Sequence, residues 1–480
     1  MLLRHASHYM MASATTAILG FVGAAIYTRL LTPADYGVYV VGFSLASFIF
    51  SVAFAWVQYS VMRFESEGAR ADVRMTSLAA YGLSALASPF LLIGAHYGAH
   101  IPWGRAALSI GLALAWGLFD LGQEIQRSRF QVRGFMFGSM FRAAAALGLC
   151  VAIAWSGGGG LGQLAGAALA YGLAALVSGP RIWQGPRAPF DPAKLKLFFR
   201  LGVAVTVAGL IVTLQAALDR LFIAWRFGDG PAGLYGASAD VVKQIVLIPA
   251  GSVAAAAFPL TVRAFASGDA VATRRQLAHT AELLLAILVP AAVGLALTAP
   301  YLVSFLFGPA FRETAGAIMP VLAFAWMFQS ISQSYLHVSF HLAMKQGLSI
   351  PHGLATLAFN AALLWPMTSA FGPNGAAGSL LASEALGAAV GYALTLRAHR
   401  LPMIPGPAAR IVAAAAVMAL VVLALRAQMP GYSAGAFIAL AASGALVYGL
   451  VAVALDVLGA RAVVVGLLRR AQTRWAPGAL

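Results

Sequence analysis

The feature that most constrains this chain is the recurrence of apolar stretches long enough to cross a bilayer. A spanning helix needs about 20 mostly apolar residues, and within hydrocarbon only helices and closed barrels satisfy their own backbone. Fourteen such stretches can be read, near residues 12–31, 37–57, 76–95, 106–122, 138–156, 161–179, 201–225, 234–259, 277–299, 316–341, 350–371, 375–396, 411–427 and 434–456. Pro89, Pro249, Pro290, Pro320 and Pro366 are compatible with spans, because neighbouring helices can satisfy a freed carbonyl. Composition agrees: 61% of the 480 residues are hydrophobic and 10% charged, with a mean hydropathy of +0.84. A soluble chain is about 45–50% apolar and about 25% charged, so a soluble globular enzyme and a disordered chain are both excluded. The first stretch is expected to be a span rather than a cleaved signal, since Arg29 and Leu30 stand where cleavage needs small residues. A single cysteine, Cys150, excludes an intrachain disulfide and a cysteine metal cluster, and its apolar surroundings predict core packing.

The net charge of +16 would point to nucleic acid in a soluble protein. Here the basic residues follow topology. With the N-terminus inside, 24 of the 31 Lys and Arg fall in inside loops, from Arg4 through Arg63, Arg70, Arg74, Arg129 and Arg142 to Arg469, Arg470 and Arg474. Every inside loop carries at least one, which is the asymmetry that sets orientation. Both termini are therefore expected in the cytoplasm, and no nucleic-acid partner is expected. The remaining cations are Arg29, Arg105, Arg220, Arg226, Lys243, Arg312 and Arg426. Outside loops are short and leave no room for an external catalytic domain. The longest inside loop, 180–200, contains GPRAPFDPAKLK and reads as a linker ending in an interfacial helix.

The chain repeats itself. Arg63, Gly68 and Arg74 match Arg263, Gly268 and Arg274 at an offset of 200, while Trp116 and Gln123 match Trp326 and Gln333 at 210. YTRLLTPADYGVY also aligns with AWRFGDGPAGLYG, pairing Arg29 with Arg226 and Gly37 with Gly233. The order is consistent and the offset grows slowly, as expected of a duplication. The predicted fold is an all-α polytopic membrane protein with 14 transmembrane helices in two pseudo-symmetric six-helix lobes plus two C-terminal helices. The lobes occupy 1–180 and 201–400, joined by the linker 181–200 and followed by 401–480 with its basic tail. An even number of spans per lobe gives both the same orientation, which favours alternating access with the substrate path between them.

Charged groups inside spans default to a cavity or a partner. Span 7 carries Gln215 and Asp219 on one helical face, followed by Arg220; span 8 carries Asp240, Lys243 and Gln244. One reading is a hydrated cavity with cations for a lipid diphosphate and carboxylates for a coupling ion; the other is local neutralisation, with Arg220 snorkelling. Span 10 carries Gln329, Gln333, His337 and His341, each four apart, and its repeat mate carries Asp120, Gln123 and Glu124. These stripes either line a lumen or join helices within each lobe. His337 and His341 have a metal-pair spacing without a third ligand, and a proton-sensing role is open to them. Glu384 lies deeper in its span than Glu282 and is the better ion candidate, unless it is protonated and bonded to a neighbouring helix. Walker, HExxH and GxSxG motifs are absent, so neither ATP-driven transport by this chain alone nor a metal or other cofactor is expected.

IYTRLLTPADYGVYVVGFSLASF resembles the start of Wzx-type polysaccharide flippases of the multidrug/oligosaccharidyl-lipid/polysaccharide superfamily. ALDRLFIAWRFGDGPAGLYGASADVV, LFGPAFRETAGAIMPVLAF and FGPNGAAGSLLASEALG agree. The resemblance implies an inner-membrane flippase that moves undecaprenyl-diphosphate-linked oligosaccharide to the outer leaflet, driven by H+, Na+ or the membrane potential. Glycan polymerase and export machinery are its expected protein partners. Arg29, Arg220 and Lys243 would then meet the diphosphate; Gln123, Gln215, Gln329, Gln333 and His337 would line the path; Asp219, Asp240 and Glu384 would handle the coupling ion. Related lipid-linked precursor flippases carry an Asp-Arg pair where this chain has Asp240 and Val241, a departure that weakens transfer of the peptidoglycan-precursor role in particular. The competing readings are a cation antiporter of the same superfamily, a membrane-embedded polymerase or glycosyltransferase, and a non-transporting scaffold.

Overall fold

A computed structural model describes residues 2–65, 72–98, 100–184, 187–429 and 431–462. Gly68 and Arg70, and the basic tail with Arg469, Arg470 and Arg474, lie outside the described residues. Regular structure among the described residues is helical throughout. In chain order the α-helices are α1 (Leu2–Leu30), α2 (Pro33–Ala53), α3 (Ala55–Phe64), α4 (Arg74–Ala85), α5 (Ser88–Ile93), α6 (Trp103–Ser128), α7 (Val132–Trp155), α8 (Gly159–Trp183) and α9 (Pro192–Phe227). There follow α10 (Asp229–Ala266), α11 (Ala270–Leu306), α12 (Pro309–Ile331), α13 (His337–Leu342), α14 (Ser349–Phe371), α15 (Gly375–Thr395), α16 (Pro405–Ala427) and α17 (Ala434–Ala454).

Eleven segments of the described residues are long and apolar enough to cross a membrane, and one of these, Gln346–Thr395, is the α14–α15 hairpin. With α1 and α9, 29 and 36 residues long, the fourteen spans read from the sequence are all present as helix. The chain is a multi-pass membrane protein. Two spans are interrupted. The backbone breaks at Phe54 between α2 and α3, and again before α5, where Pro89 has no N–H to give to the preceding turn. The span after α12 contains a π-helical turn, Ser332–Leu336, before α13. The 38 residues of α10 cover about 57 Å at 1.5 Å per residue, well beyond a hydrocarbon core of about 30 Å, so its ends project past the lipid.

The helix starts are written in the sequence. Thr32-Pro33-Ala34-Asp35 forms a reciprocal cap on α2: the Thr32 hydroxyl accepts from the Asp35 N–H (3.1 Å) and donates to Asp35 Oδ2 (2.6 Å), with Pro33 in the first turn. Asp191 before Pro192 caps α9 through the Ala193 and Lys194 N–H groups. The residues expected as an interfacial helix are therefore continuous with α9. Asp269 starts α11 in the same way, accepting from Val271 and Ala272.

Two compact units divide the chain: Met1–Ala237 with Phe307–Phe311, and Ser238–Leu306 with Arg312–Leu480. In the first, α1 packs on α7, and α2 on α6, α8 and α9. Its core stacks Phe50 on Trp116 at 4.6 Å and Trp116 on Tyr171 at 5.3 Å. Cys150 is buried there, with its carbonyl accepting from Gln163 Nε2 at 2.6 Å. In the second unit, α11, α16 and α17 pack together around Tyr301, Met418, Val422 and Leu440. Glu282 accepts from the Leu458 N–H at 2.8 Å, so it anchors the segment after α17.

Basic residues counted as topology signals also build structure. The Arg74 guanidinium is 3% exposed; it grips Asp72 and donates to the carbonyls of Ile182 and Gln184. Arg129 joins Glu65 (2.5 Å) and Asp72 (3.2 Å). This knot ties the segment before α4 to the ends of α6 and α8. Burial alone would raise the Asp72 carboxyl, but hydrogen bonds from Arg74 and the Ala188 N–H hold it well below the usual carboxylate range. A carboxyl held low stabilises the fold fully above its ordinary value, about 4, and loses that contribution as pH falls towards the lowered one. Asp72→Asn is therefore expected to remove about 2 kcal/mol and lower the thermal midpoint in detergent at neutral pH. The gap from the parent protein should close as the pH drops below about 4, as read by thermal unfolding across a pH series.

Candidate functional site

The capped start of α2 is the centre of a dense contact at one end of the first unit. A Cβ at Gly37 would lie 1.8 Å from the Asp229 carbonyl oxygen, and one at Gly233 would lie 2.1 Å from that of Pro33. Only glycine lets these backbones approach so closely. Around the pair, Asp35 Oδ1 accepts from the Gly160 N–H at 3.1 Å, and Thr28 Oγ1 from the Gly308 N–H at 3.2 Å. Tyr36 meets Phe311 edge-on at 5.6 Å. Arg105 closes the cluster with a two-pronged ion pair to Asp229, at 2.9 and 2.6 Å. Three of the sequence stretches that carry the family resemblance thus meet in one place.

Deeper in the first unit lies a polar site at mid-helix. Trp116 Nε1 donates to Asp120 Oδ2 at 2.9 Å. The Arg142 guanidinium sits 4.9 Å above the Tyr171 ring and within electrostatic reach of Asp120. Gln123 is buried and donates to the Phe135 carbonyl and to Ser139 Oγ, joining α6 to α7. On α9, Gln215 and Asp219 are both buried, and Asp219 Oδ2 accepts from the Tyr235 hydroxyl at 2.7 Å. Arg220 is half-buried within electrostatic reach of Tyr235. Arg29 is exposed at the end of α1 and donates to the Ala25 carbonyl at 2.5 Å.

The second unit has its own mid-helix cation. Lys243, fourteen residues after Asp229 on α10, lies 5.3 Å above the Trp326 ring. Trp326 is 5% exposed, yet its Nε1 has no partner among the described residues; the same holds for Ser330 Oγ and Gln244 Oε1. Buried polar atoms are almost always bonded to protein or ordered water, so this stretch is where water or a polar ligand is expected. Gln329 Nε2 donates to Glu384 Oε1 at 2.9 Å, bringing a candidate path residue and a candidate ion residue into one buried contact. Asp240 and Lys243 share a helix face, both half-buried. Gln333 is exposed within the π-helical turn, and His337 is hydrogen-bonded to His352. Among the described residues, no group of three or more His, Cys, Asp or Glu side chains could hold a metal ion.

Several residues at these sites are not singled out by any pattern in the sequence. Arg142 was counted with loop cations, although it lies ten residues into α7; its place inside the predicted span 138–156 was the available signal. Tyr171 and His352 carried no spacing signal of their own. The Arg105–Asp229 pair joins residues 124 positions apart, which no local pattern reveals.

The family model described as polysaccharide biosynthesis protein matches residues 26–316, more than half of the chain, so the chain belongs to that family. No curated protein matches its sequence. Among solved structures it resembles the lipid II flippase MurJ in an inward closed conformation, with a TM-score of 0.75 at 14% identity over 93% of this chain and 98% of that one. It also resembles an inward-facing multidrug resistance MATE family transporter of the MOP superfamily, with a TM-score of 0.63 at 14% identity over 80% and 94%. A Vibrio cholerae MATE transporter gives 0.55 at 12% identity over 82% and 96%. The fold is that of the MOP superfamily.

Breaking the Arg105–Asp229 pair is expected to loosen the glycine cluster. Ala232 is fully buried, so a cysteine placed there should react poorly with a membrane-impermeant maleimide. With Arg105→Ala added, labelling should rise severalfold; unchanged labelling would show that the pair does not hold this end together.

Proposed function

We propose that this member of the polysaccharide biosynthesis family is a flippase for polyprenyl-diphosphate-linked oligosaccharide. It carries that lipid from the cytoplasmic to the periplasmic leaflet of a bacterial inner membrane by alternating access. In the orientation favoured by the basic loops, both termini are cytoplasmic and the glycine cluster faces the periplasm. Membership of the family and the fold shared with a lipid II flippase support this reading at the level of class.

The observation that carries it to a substrate is the pair of mid-helix cations on aromatic rings, Arg142 on Tyr171 and Lys243 on Trp326. A cation in mid-membrane is expensive and marks a substrate or ion path. A diphosphate supplies the matching charge, and the flat faces beside it suit sugar rings. Gln215 and Gln333 offer amides along the path, whereas Gln123 and Gln329 spend theirs on Ser139 and Glu384; Arg29 and Arg220 serve the diphosphate nearer the helix ends. Asp219 and Glu384, which accept from Tyr235 and Gln329, and Asp240 are the carboxylates of these spans. Transport by this route involves no covalent step.

In a strain deleted for the gene, Lys243→Ala and Arg142→Ala are each expected to restore surface polysaccharide at least tenfold less well than the parent protein, the equivalent of about 1.4 kcal/mol or more in substrate interaction. Lipid-linked intermediate should build up on the cytoplasmic side, and Lys243→Arg should retain most of the function. Full surface polysaccharide with both alanine variants would sink the assignment of these cations.

A further inference from the structure

Spans 10, 11 and 12 of the second unit are joined by a chain of hydrogen bonds. His337 Nε2 lies 3.1 Å from His352 Nδ1, and His352 Nε2 lies 3.1 Å from the Gly387 carbonyl oxygen. The carbonyl can only accept, so His352 carries its proton on Nε2. Its Nδ1 is then a lone pair, and His337 must donate to it from Nε2. That leaves His337 Nδ1 as the basic atom of the pair. Close packing fixes the arrangement: a Cβ at Gly391 would come within 2.9 Å of the His352 ring, and the Thr356 hydroxyl donates to the His352 carbonyl at 3.1 Å.

The pair adjoins the π-helical turn Ser332–Leu336, and such turns cluster at functional sites. Within it, Ser332 Oγ and Tyr335 Oη have no partner among the described residues, although the two residues are 1% and 7% exposed. Both are more than nine-tenths buried and stand five and two residues before His337. Titratable neighbours of the pair are His341 on the same helix, Tyr335 with Tyr392 near it, and Glu384, one turn before Gly387 and bonded to Gln329.

From this geometry we infer that the His337–His352 pair is a one-proton binding site and that the proton is the coupling ion of transport. A proton enters at His337 Nδ1. A second proton would have to land on His352 Nδ1 and break the bond between the rings, so the pair takes one. Protonation places a positive charge beside the π-helical turn, in the span that also carries Trp326 and Gln329. The coupling half of the inference rests on the flippase reading; the binding half does not.

His337→Gln keeps a donor at the Nε2 position and removes the titration. His352→Asn keeps an acceptor at the Nδ1 position and removes the Gly387 contact. The binding half is read by imidazole NMR of the full chain, labelled on its nine histidines and held in nanodiscs. One coupled titration of one proton is expected, absent in His337→Gln and displaced in His352→Asn. A His337 signal that titrates identically with and without His352 overturns it.

The coupling half is read in vesicles of phosphatidylethanolamine and phosphatidylglycerol containing undecaprenyl-diphosphate-linked glycan extracted from the host, with and without sodium. The parent rate should change by up to about tenfold per pH unit on one side of the titration, and His337→Gln should flatten that dependence without creating a need for sodium. A His337→Gln rate with the parent's pH dependence, or a parent rate set by sodium alone, overturns the coupling. If the parent protein moves no glycan at all, the flippase reading fails, and with it the coupling claim, while the NMR result decides the binding site on its own.

Discussion

Lipid hydrocarbon offers no hydrogen-bonding partner, and that constraint governs the whole molecule. Every span must be helical, and every polar side chain within a span must find its partner inside the protein. The consequence is a rationing of polar groups, so the few that remain are informative. Gln329 with Glu384, Asp219 with Tyr235, and Gln123 with Ser139 are contacts in which the helices satisfy one another. Beside them stand two cations over aromatic rings, Arg142 on Tyr171 in the first unit and Lys243 on Trp326 in the second, where Trp326 Nε1 has no partner among the described residues.

The glycine cluster shows how a membrane protein can close one end without a large apolar interface. Gly37 and Gly233 let two helix starts touch backbone to backbone, and Arg105 with Asp229 adds an ion pair across the same contact. Close approach of small residues is the usual means of helix association in lipid. An ion pair, unlike a dry apolar contact, can be exchanged for water.

Much of the fold was legible because hydropathy is local. The spans follow from a few neighbouring residues, whereas Pro89, read as compatible with an unbroken span, stands at a break. The repeat was visible as matched offsets, but not what it builds: Trp116 donates to Asp120, whereas its mate Trp326 lies under Lys243. Likewise Gln123 is buried and Gln333 exposed. Duplicated positions diverge once each lobe packs its own partners. Long-range pairs were out of reach for the same reason. Nothing near Glu384 announces Gln329, 55 residues earlier, and counting cations by loop turned Arg74 and Arg142 into orientation marks when they are also a structural clamp and a mid-helix charge.

Movement of a diphosphate-linked glycan across the bilayer can be followed with purified protein in vesicles whose two leaflets both contain that lipid, by adding outside a lectin that cannot enter. Protein-free vesicles are expected to expose only their outer-leaflet glycan, while vesicles with the protein let nearly all of it be captured over time. The same captured fraction with and without the protein would contradict it.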